Sequence, residues 1–509
     1  MRTSEQTYSI ELVARAAQRG EAPAIVDGEG MASYRDVVTL ACRMAETLLA
    51  GAADLEGARV AFLVPSGRDY VAAQWGTWLA GGVAVPLCLT HPPAEMAYVL
   101  ADSDASIIVA HPEFETRAKE LAAEKGLRVI STQVARAAEG ELSAAGLPQV
   151  APERPAMIIY TSGTTGKPKG VVSTHRNIAA QITALIEAWE WTDNDRILHV
   201  LPLHHLHGII NVLGCALWAG AVCEMHPRFD ARAVWERILR GGLTLFMAVP
   251  VIYQRLIGHW DAAMPDERAA MTRAASALRL MVCGSAALPV PVLEKWRTVS
   301  GHTLLERYGM TEIGMALSNP LHGARLPGKV GAPLPAVEVR LVDEAGATID
   351  ADDAPGEIEV RGPAVFHEYW RRPKETAEAF HDGWFRTGDI ASRKDGVYTI
   401  LGRSSVDIIK TGAYKVSALE IEQELLAHPD IEECAVVGVP DDDWGERVCA
   451  AIRWRSGQGL SLDDLRTWCK ERLAVYKVPS RLLSNVTLPR NALGKVVKKE
   501  VQALFKATP

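Results

Sequence analysis

The sequence predicts an α/β protein with a large N-terminal domain and a small α+β C-terminal domain. The large domain is expected to contain two subdomains with parallel sheets and a β-rich subdomain. The 509 residues exceed what one ordinary hydrophobic core accommodates. Up to about residue 330, short apolar runs alternate with helical segments, which is typical of parallel sheets covered on both faces. The pattern then changes twice, at about residue 330 and about residue 403.

Three short apolar runs predict the strands of the first subdomain. Ala- and Glu-rich helical segments separate these runs, which favours parallel strand pairing. The predicted strands are Val60–Val64, Gly82–Leu87 and Ile107–Ala110. Residues 135–149 are rich in Ala, Glu and Gly and predict a surface connection.

A further set of apolar runs predicts the second subdomain, and most of these runs end at proline or at small polar residues. They are Ala156–Ile159, Arg196–Leu201, Leu243–Pro250, Leu278–Ser285 and the strand-like Thr303–Leu305. Ligands of open α/β sheets bind at the carboxyl ends of the strands. We therefore expect the functional site where these runs end.

The last part of the chain predicts two smaller units. Val337–Val342 and Gly356–Gly362 alternate apolar and polar residues, as half-exposed antiparallel strands do. After them we expect helices at 417–428 and 462–474 and strands at 434–439, 448–452 and 480–488. The predicted boundaries are an N-terminal domain at 1–402, a hinge at 403–407 and a C-terminal domain at 408–509.

The composition disfavours several classes of function. A net charge of −8 gives no general attraction to nucleic acid or to an anionic membrane, so neither is expected as a partner. No apolar run approaches the ~20 residues of a membrane span, and the N-terminus lacks the apolar core of a signal peptide. The eight cysteines are scattered without CxxC spacing, which predicts reduced thiols. We expect a cytoplasmic protein.

The stretch Tyr160–Gly170 predicts a phosphate-binding loop. It follows an apolar strand and contains glycines, hydroxyl side chains and two lysines but no acid. Glycine lets backbone N–H groups converge, while the hydroxyls and lysines add donors and charge. It is not the P-loop of kinases and GTPases, because only two residues lie between Gly163 and Gly166 and Lys167 precedes Pro168. The alternative is a polar surface loop.

Two short motifs offer oxygen ligands, and each has a structural alternative. In Tyr308–Glu312, Gly309 would let the backbone pass close to a ligand, and Thr311 and the glutamate offer the hard oxygens that Mg²⁺ prefers. A glycine turn that opens a helix would contain the same residues. Asp389, predicted to follow a tight turn, could accept hydrogen bonds from both ribose hydroxyls of a nucleotide. A turn-capping aspartate is the alternative.

Three other stretches are candidates with weaker signals. Gly402–Asp407 contains small polar residues and Arg403 at a domain junction, which suits a hinge or a plain linker. Pro489–Val496 presents Lys495 in a loop, although an ordinary surface lysine would look the same. Leu203–Gly208 holds three histidines without further metal ligands, which favours pocket lining over a zinc site.

Taken together and in this order, these motifs resemble the acyl-adenylate-forming (AMP-binding) superfamily, which includes acyl-CoA synthetases, adenylation domains of peptide synthetases and beetle luciferases. The resemblance covers nearly the whole chain. Within the superfamily, the local sequence is most similar to malonyl-CoA and methylmalonyl-CoA synthetases. The stretches that carry this closer similarity are 202–208, 284–289, 304–320, 406–422 and 489–495.

The resemblance implies two half-reactions in one chain. A carboxylate would attack the α-phosphate of MgATP, giving an acyl-AMP and pyrophosphate. The thiol of coenzyme A would then attack the acyl carbonyl, and AMP would leave. Between these steps a mobile C-terminal domain would rotate about the hinge, removing Lys495 from the site.

The resemblance also implies roles for individual residues. The implied catalytic residues are Lys495, Thr311, Glu312 and His205. The implied ATP-binding residues are Thr161, Ser162, Gly163, Thr164, Thr165, Gly166, Lys167, Lys169, Gly284, Ser285, Tyr308, Gly309, Met310, Thr311, Asp389 and Arg403. Thr165 and Glu312 are implied near Mg²⁺, and Gly412, Ala413 and Tyr414 are implied at the coenzyme A channel.

The substrate is expected to be a small dicarboxylate such as malonate or methylmalonate. Its second carboxylate must be buried, and because an unpaired buried carboxylate is costly, the pocket needs fixed cations. Arg255 and Arg307 match the arginines that hold this group in malonyl-CoA synthetases, and His207 and Ser285 could add donors. The alternative is that Arg255 is a solvated helix residue and Arg307 a partner in a structural ion pair.

Two departures from the superfamily pattern leave questions open. Ser404–Val406 precedes Asp407 in the hinge, so the pivot is open among Ser405 to Asp407. Ala413 follows Gly412 where relatives often have a second glycine. The alternative functions are a ligase for another short acid, such as a branched or aromatic monocarboxylate, and a protein that loads a carrier protein. Malonate, ATP and coenzyme A are the expected small-molecule partners of a monomer or homodimer.

Overall fold

The computed structural model of the protein describes residues 8–137, 146–161, 167–411, 414–490 and 495–507. Helices α1–α16 and strands β1–β26 are numbered in chain order below. Short 3₁₀ turns lie at Pro112–Phe114 and Val475–Lys477, and a π-helical segment spans His207–Gly214.

The elements of the first part of the chain are Glu11–Ala17 (α1), Pro23–Asp27 (β1), Gly30–Ser33 (β2), Tyr34–Leu49 (α2), Arg59–Leu63 (β3), Arg68–Leu79 (α3), Val83–Pro86 (β4), Pro93–Asp102 (α4), Ala105–Ala110 (β5), Glu115–Ala123 (α5), Arg128–Ser131 (β6) and Thr132–Ala137 (α6).

The middle part contains Pro155–Thr161 (β7), Lys169–Thr174 (β8), His175–Trp189 (α7), Arg196–His199 (β9), Cys215–Ala219 (α8), Val222–Met225 (β10), Ala231–Leu239 (α9), Leu245–Ala248 (β11), Pro250–Ala262 (α10), Pro265–Ser276 (α11), Leu280–Cys283 (β12), Val290–Ser300 (α12), Leu305–Met310 (β13), Gly314–Ser318 (β14) and Ala332–Pro333 (β15).

The last part contains Glu338–Val342 (β16), Gly356–Arg361 (β17), Glu368–Tyr369 (β18), Pro373–Glu378 (α13), Phe380–His381 (β19), Trp384–Lys394 (β20), Val397–Arg403 (β21), Ile408–Thr411 (β22), Tyr414–Ser417 (β23), Ala418–Leu426 (α14), Ile431–Asp441 (β24), Gly445–Trp454 (β25), Leu462–Lys470 (α15), Arg481–Ser484 (β26) and Lys498–Ala507 (α16).

Two mostly parallel sheets form the bulk of the N-terminal part. One has nine strands in the order β15-β14-β13-β12-β11-β9-β10-β1-β2, and the other has seven in the order β18-β8-β7-β4-β3-β5-β6. Antiparallel strands occur at both edges of the first sheet and at the β7 to β18 edge of the second. In the first sheet the register pairs Cys283 with Glu306, so Arg307 follows directly where β12 ends.

The two parallel sheets share one core because helices α2 and α3 lie between them. Every residue of α3 from Asp69 to Leu79 is buried, as expected for a helix covered on all sides by other layers. Its two indoles, Trp75 and Trp78, are among the largest fully buried side chains. The Trp78 Nε1 donates to the Ala156 carbonyl at 2.7 Å, which ties the helix to β7.

The β-rich part and the C-terminal part have cores of their own. The first is an antiparallel sheet of β16, β17, β20, β19 and β21, packed around Phe366 and Phe385. The second is a sheet of β22 to β26. Helices α14 and α15 pack with this sheet in one hydrophobic cluster, and α16 packs with it in another. The predicted fold class is therefore confirmed: parallel α/β sheets, a β-rich unit and an α+β C-terminal unit.

Most predicted strands of the N-terminal part are present, with shifts of at most two residues at their ends. Two predictions about local structure are wrong. The strand predicted at Thr303–Leu305 runs instead over Leu305–Met310, so Tyr308 lies within a strand. Asp389 lies within β20 and does not follow a tight turn. The structural alternative for Tyr308–Glu312, a glycine turn that opens a helix, is not observed either, because Glu312 lies in a hairpin turn. The edge hairpin β1–β2, strand β6 and helix α16 were not predicted.

All eight cysteines are free, and seven of them are buried, which agrees with the prediction of reduced thiols. Among the described residues, no helix is both long enough and apolar enough to cross a membrane. Most of the connection predicted at 135–149 lies outside the described residues.

Gly331 joins the nine-stranded sheet to the β-rich unit, and we expect it to tolerate no side chain. Its φ is +87°, and a Cβ would lie 1.9 Å from the Ser318 carbonyl oxygen. The Gly331→Ala substitution should lower the free energy of unfolding by about 2–5 kcal/mol, from strain and overpacking together.

Gly396→Ala is the matched control. Gly396 has a φ of +78° but nothing within 4 Å of a Cβ, so it should lose only about 1 kcal/mol. Thermal unfolding followed by circular dichroism measures both variants. Equal losses would contradict the steric explanation.

Candidate active site

Arg307 is a buried cation that has no acidic partner among the described residues. It lies in β13 and is only 3% exposed. Its one hydrogen bond among the described residues is a long one, from Nη2 to the Ser285 Oγ at 3.5 Å, and its buried Nε has no partner. No carboxylate of the described residues forms an ion pair with it. Burial lowers the pKa of the guanidinium to about 10, so it is charged at neutral pH.

Gly284, Ser285 and His207 line the pocket around this guanidinium. A Cβ on Gly284 would lie 2.6 Å from the Arg307 Cζ, so only glycine leaves room for the planar group there. Ser285 has a φ of +69°, a strained conformation for a non-glycine residue, and its Oγ lies 3.2 Å from the His207 Nδ1. The buried His207 Nε2 has no partner in the described part of the chain. Burial first, and then the charge of Arg307, holds the pKa of His207 well below its usual value.

Tyr308, Asp389 and Arg403 form a second cluster. Asp389 is 8% exposed and lies on β20 opposite Arg403 of β21. It accepts hydrogen bonds from the Tyr308 hydroxyl at 2.7 Å and from the Arg403 Nε at 2.8 Å. Burial alone would lower the pKa of Arg403, but the hydrogen bonds and charge of Asp389 raise it. The cluster therefore presents a fixed carboxylate and a fixed cation next to each other.

Glu312 provides a second fixed carboxylate in the turn after β13. It is 6% exposed, and its Oε1 accepts a hydrogen bond from the Tyr369 hydroxyl at 3.0 Å. No cation of the described residues forms an ion pair with it. Burial raises the pKa of this carboxyl above its ordinary value. Thr311 precedes it in the same turn and is half-buried.

The predicted phosphate loop connects the antiparallel strands β7 and β8. Thr161 and Lys169 form the last pair of this hairpin, so the loop leaves and re-enters the sheet at adjacent positions. The Lys167 Nζ lies 5.4 Å from the ring centroid of Tyr98. Ser162, Gly163, Thr164, Thr165 and Gly166 lie outside the described residues, so their predicted contacts remain predictions.

Lys495 brings the C-terminal part of the chain to this site. Lys495 is exposed to solvent, but the surrounding protein partly desolvates its ammonium group, which lowers its pKa. The charges of Arg403 and Arg307 lower this pKa further. The charge of Lys495 also acts on the half-buried His205. Burial and then this charge lower the pKa of the His205 imidazole to about 4. The predicted lysine is therefore close to the predicted nucleotide and substrate residues.

The remaining predicted residues are less closely connected to the site. Arg255 is exposed on α10, and no contact of the described residues joins it to Arg307. Gly309 approaches a neighbouring strand, since a Cβ there would lie 2.1 Å from the Gly314 carbonyl oxygen. Met310 ends β13 and is half-buried. Tyr414 is 51% exposed on the C-terminal unit. Gly412 and Ala413 lie outside the described residues.

Sequence reasoning missed the residues that hold the phosphate loop and Glu312 in place. Asp102 accepts a hydrogen bond from the Tyr160 hydroxyl at 2.8 Å, and the Tyr98 hydroxyl donates to the Pro168 carbonyl at 2.8 Å. Tyr369, which donates to Glu312, comes from a segment more than fifty residues later in the chain. No local pattern marks these residues, because their roles arise only when distant segments meet.

The arrangement is suited to anionic ligands. Arg307, Arg403, Lys167 and Lys495 supply positive charge, while Asp389 and Glu312 are the acids held among them. Among the described residues, no group of three or more His, Cys, Asp or Glu could hold a metal ion by itself. A metal at this site would therefore take most of its ligands from a bound anion and from water.

Comparisons with known proteins agree on one family. The model of the AMP-binding enzyme family matches residues 12–370, and that of the AMP-binding enzyme C-terminal domain matches residues 420–495. The chain is 47% identical to the mitochondrial malonate–CoA ligase ACSF3 of Homo sapiens over 525 residues, covering 96% of this chain and 91% of that protein. It is 44% identical to the malonate–CoA ligase of Arabidopsis thaliana, covering 89% and 79%. The crystal structure of ATP-bound MatB from Rhodopseudomonas palustris is similar with a TM-score of 0.89 and 33% identity, covering 98% of this chain and 99% of that one.

The unpaired charge of Arg307 should cost stability in the absence of ligand. Arg307→Met removes a buried ion and keeps apolar volume, so it should raise the free energy of unfolding by about 1–2 kcal/mol. Thermal unfolding of the ligand-free protein measures the change.

Arg279→Met is the matched control. Arg279 donates to both carboxylate oxygens of Asp195, at 2.7 and 2.6 Å, and Asp195 is only 3% exposed. Its removal leaves the buried carboxylate of Asp195 without its cation and should lower the free energy of unfolding by about 2–4 kcal/mol. If Arg307→Met destabilises the protein as Arg279→Met does, Arg307 has a structural partner instead.

Proposed function

The chain belongs to the AMP-binding enzyme family, and we propose that it is an AMP-forming malonate–CoA ligase that also accepts methylmalonate. It would form a malonyl-AMP with release of pyrophosphate and then transfer the malonyl group to coenzyme A with release of AMP. The observation that carries the substrate assignment is the buried guanidinium of Arg307, which has no acidic partner among the described residues. The similarity to malonate–CoA ligases over nearly the whole chain supports the same substrate.

Arg307 would hold the distal carboxylate of the substrate. A charge-assisted Arg–carboxylate hydrogen bond contributes roughly 1.5–3 kcal/mol net, and a substrate lacking that carboxylate would leave the guanidinium buried and unpaired. Ser285 and His207 line the same pocket and would complete the hydrogen bonding of the carboxylate. Arg255 remains a proposed second contact, with a smaller contribution because it is exposed.

The nucleotide would lie between the phosphate loop and the Asp389 cluster. Each carboxylate oxygen accepts more than one hydrogen bond, so Asp389 can bind ribose hydroxyls while keeping Tyr308 and Arg403. The loop from Thr161 to Lys169 would hold the β- and γ-phosphates. Gly284, Ser285 and Tyr308 would lie beside the adenine and acyl groups, as the family resemblance implies, and Gly309 and Met310 are further proposed ATP-binding residues.

Glu312 fits the requirements of a Mg²⁺ ion that accompanies ATP. Such an ion keeps several waters and binds phosphates plus one or two protein carboxylates. Glu312 is a buried carboxylate with a single described hydrogen bond, from Tyr369, and no ion-pair partner. Glu312 and Thr165 would hold the ion, which when bound offsets the negative charge of the phosphates.

Lys495 would stabilise the negative charge that develops around the α-phosphate during adenylation. Its proximity to Arg307, Arg403 and Asp389 supports this role. The C-terminal domain would then rotate about the turn that follows Arg403. Asp407 contacts both sides of this turn, since it pairs with Lys498 at 2.8 Å and also accepts from the Arg403 N–H at 3.0 Å. The proposed pivot therefore stays open among Ser405 to Asp407.

Coenzyme A would approach along a face of the C-terminal unit that carries exposed aromatic rings. Tyr414 stacks on Tyr476 with ring centroids 4.0 Å apart and planes within 4°. Both rings are exposed, and Gly412 and Ala413, which lie outside the described residues, are predicted to belong to the same channel. Thioester formation with free coenzyme A distinguishes this acceptor from the alternative, a carrier protein. Oligomeric state and the expected cytoplasmic location stay predictions.

A substrate scan tests the proposed function. Pyrophosphate release and thioester formation should be fastest with malonate, lower with methylmalonate and weak with acetate, propionate and aromatic monocarboxylates. Arg307→Met should lower kcat/KM for malonate by about ten- to a hundredfold, and that for acetate far less. Preference for a monocarboxylate, or equal losses on both acids, would contradict the assignment.

The pH dependence of adenylation tests the role of Lys495. The cleft lowers its pKa from 10.5, and only the protonated ammonium can stabilise phosphate charge, so the rate should fall as the pH rises through this lowered pKa. Lys495→Arg keeps a cation at all accessible pH values. This variant should be slower at neutral pH but should lack the alkaline fall. If the rate of Lys495→Arg falls at the same alkaline pH as that of the original protein, the result would count against the proposed role.

A further inference from the structure

Lys169, at the end of the phosphate loop, is held by an acidic residue of a distant segment. Its Nζ forms an ion pair with the Glu375 Oε2, and the two side chains are 32% and 34% exposed. The same ammonium lies 5.1 Å from the ring centroid of Tyr369. The contact with Lys169 is the main cause that lowers the pKa of the Glu375 carboxyl. A lysine proposed to bind phosphate is therefore occupied by a carboxylate in the ligand-free protein.

Lys169 is not the only cation beside Glu375. The Arg372 Nη1 lies 3.4 Å from the other carboxylate oxygen of Glu375. Arg372 is anchored in turn, because its Nη2 donates to the Asp102 Oδ1 at 3.1 Å. If Lys169 leaves, the carboxylate keeps a cation and is also partly exposed to water. Release of Lys169 therefore leaves no buried unpaired charge behind.

The backbone fixes Glu375 close to Lys169 whatever the side chains do. Strand β18 pairs with β8, with Tyr369 opposite Val171. The Trp370 N–H donates to the Gly170 carbonyl at 2.8 Å, next to Lys169 itself. Helix α13, which carries Glu375, begins four residues after β18 ends. The lysine can therefore change partner by rotating its side chain, without movement of either segment.

We propose that Glu375 is a positioning residue that competes with pyrophosphate for Lys169. With phosphates bound, Lys169 turns to them; when pyrophosphate leaves, Glu375 takes the lysine back. This proposal rests on the assignment of residues 161–169 as the phosphate loop, and not on the identity of the acid substrate.

The competition has a defined effect on affinity. Pyrophosphate must break the Lys169–Glu375 ion pair before it gains the lysine, so part of its binding free energy is lost. The loss lowers affinity for the product and favours its release, which must precede rotation of the C-terminal domain. A half-exposed ion pair of this kind corresponds to about a two- to fivefold effect on affinity.

Calorimetric titration of Mg²⁺-pyrophosphate into the full chain, with no acid substrate present, tests the proposal. Glu375→Gln keeps the shape of the side chain but removes the charge, and should bind pyrophosphate about two- to fivefold more tightly than the original protein. Glu378→Gln is the matched control, because Glu378 lies on the same helix and pairs with Lys374 at 3.7 Å. It should leave the affinity unchanged.

A double-mutant cycle isolates the lysine. Lys169→Met should weaken pyrophosphate binding, and adding Glu375→Gln to it should change nothing further. Unchanged or weaker binding in Glu375→Gln, or an equal gain in Glu378→Gln, overturns the proposal. So does a gain that persists in the Lys169→Met background. Because no acid is present, these outcomes are independent of whether malonate is the substrate.

Discussion

A buried positive charge that has no counter-ion in the described part of the chain sets the constraint on which this site depends. Arg307 is enclosed at the junction of β12 and β13, where Gly284 leaves room for its guanidinium and the strained Ser285 is its hydrogen-bond partner. Desolvating a cation without a partner is unfavourable, so the fold must supply the stability elsewhere. The large core shared by the two parallel sheets offers that surplus. In the proposed function, binding of the distal carboxylate of the substrate recovers the free energy of this desolvation.

The same logic organises the rest of the cleft. The chain is acidic overall, with a net charge of −8, yet lysines and arginines from both the N-terminal and C-terminal parts converge at one place. Asp389 accepts a hydrogen bond from Arg403, and Glu375 forms an ion pair with Lys169 for which, in our proposal, pyrophosphate competes. Arg403 and Lys169 are thus positioned by neighbouring acids, whereas Arg307 has no acidic partner among the described residues. Such preorganisation lets the site stabilise phosphate charge without rearranging at the moment of reaction.

The sequence predicted the fold class and most of the strands of the N-terminal part because apolar runs and their breaks are local signals. It also predicted the strand end near Ser285, but it placed Arg307 after a strand, whereas Arg307 lies within β13. It could not show whether Arg307 has an acidic partner, because that depends on every segment packed around β13. The network of Tyr98, Asp102 and Tyr160 was missed for the same reason. Asp389 was misplaced because Gly388 suggested a turn, whereas the glycine has a φ of +73° within a long strand.

The structure of a complex with malonate and a non-hydrolysable ATP analogue tests the central claim most directly. The distance between the guanidinium of Arg307 and the carboxylate of malonate that does not face the α-phosphate decides the question. The account predicts a hydrogen-bonded contact of about 2.7–2.9 Å, with Ser285 or His207 sharing the same carboxylate. A malonate bound with its distal carboxylate in solvent, and Arg307 still without an anion, would contradict it.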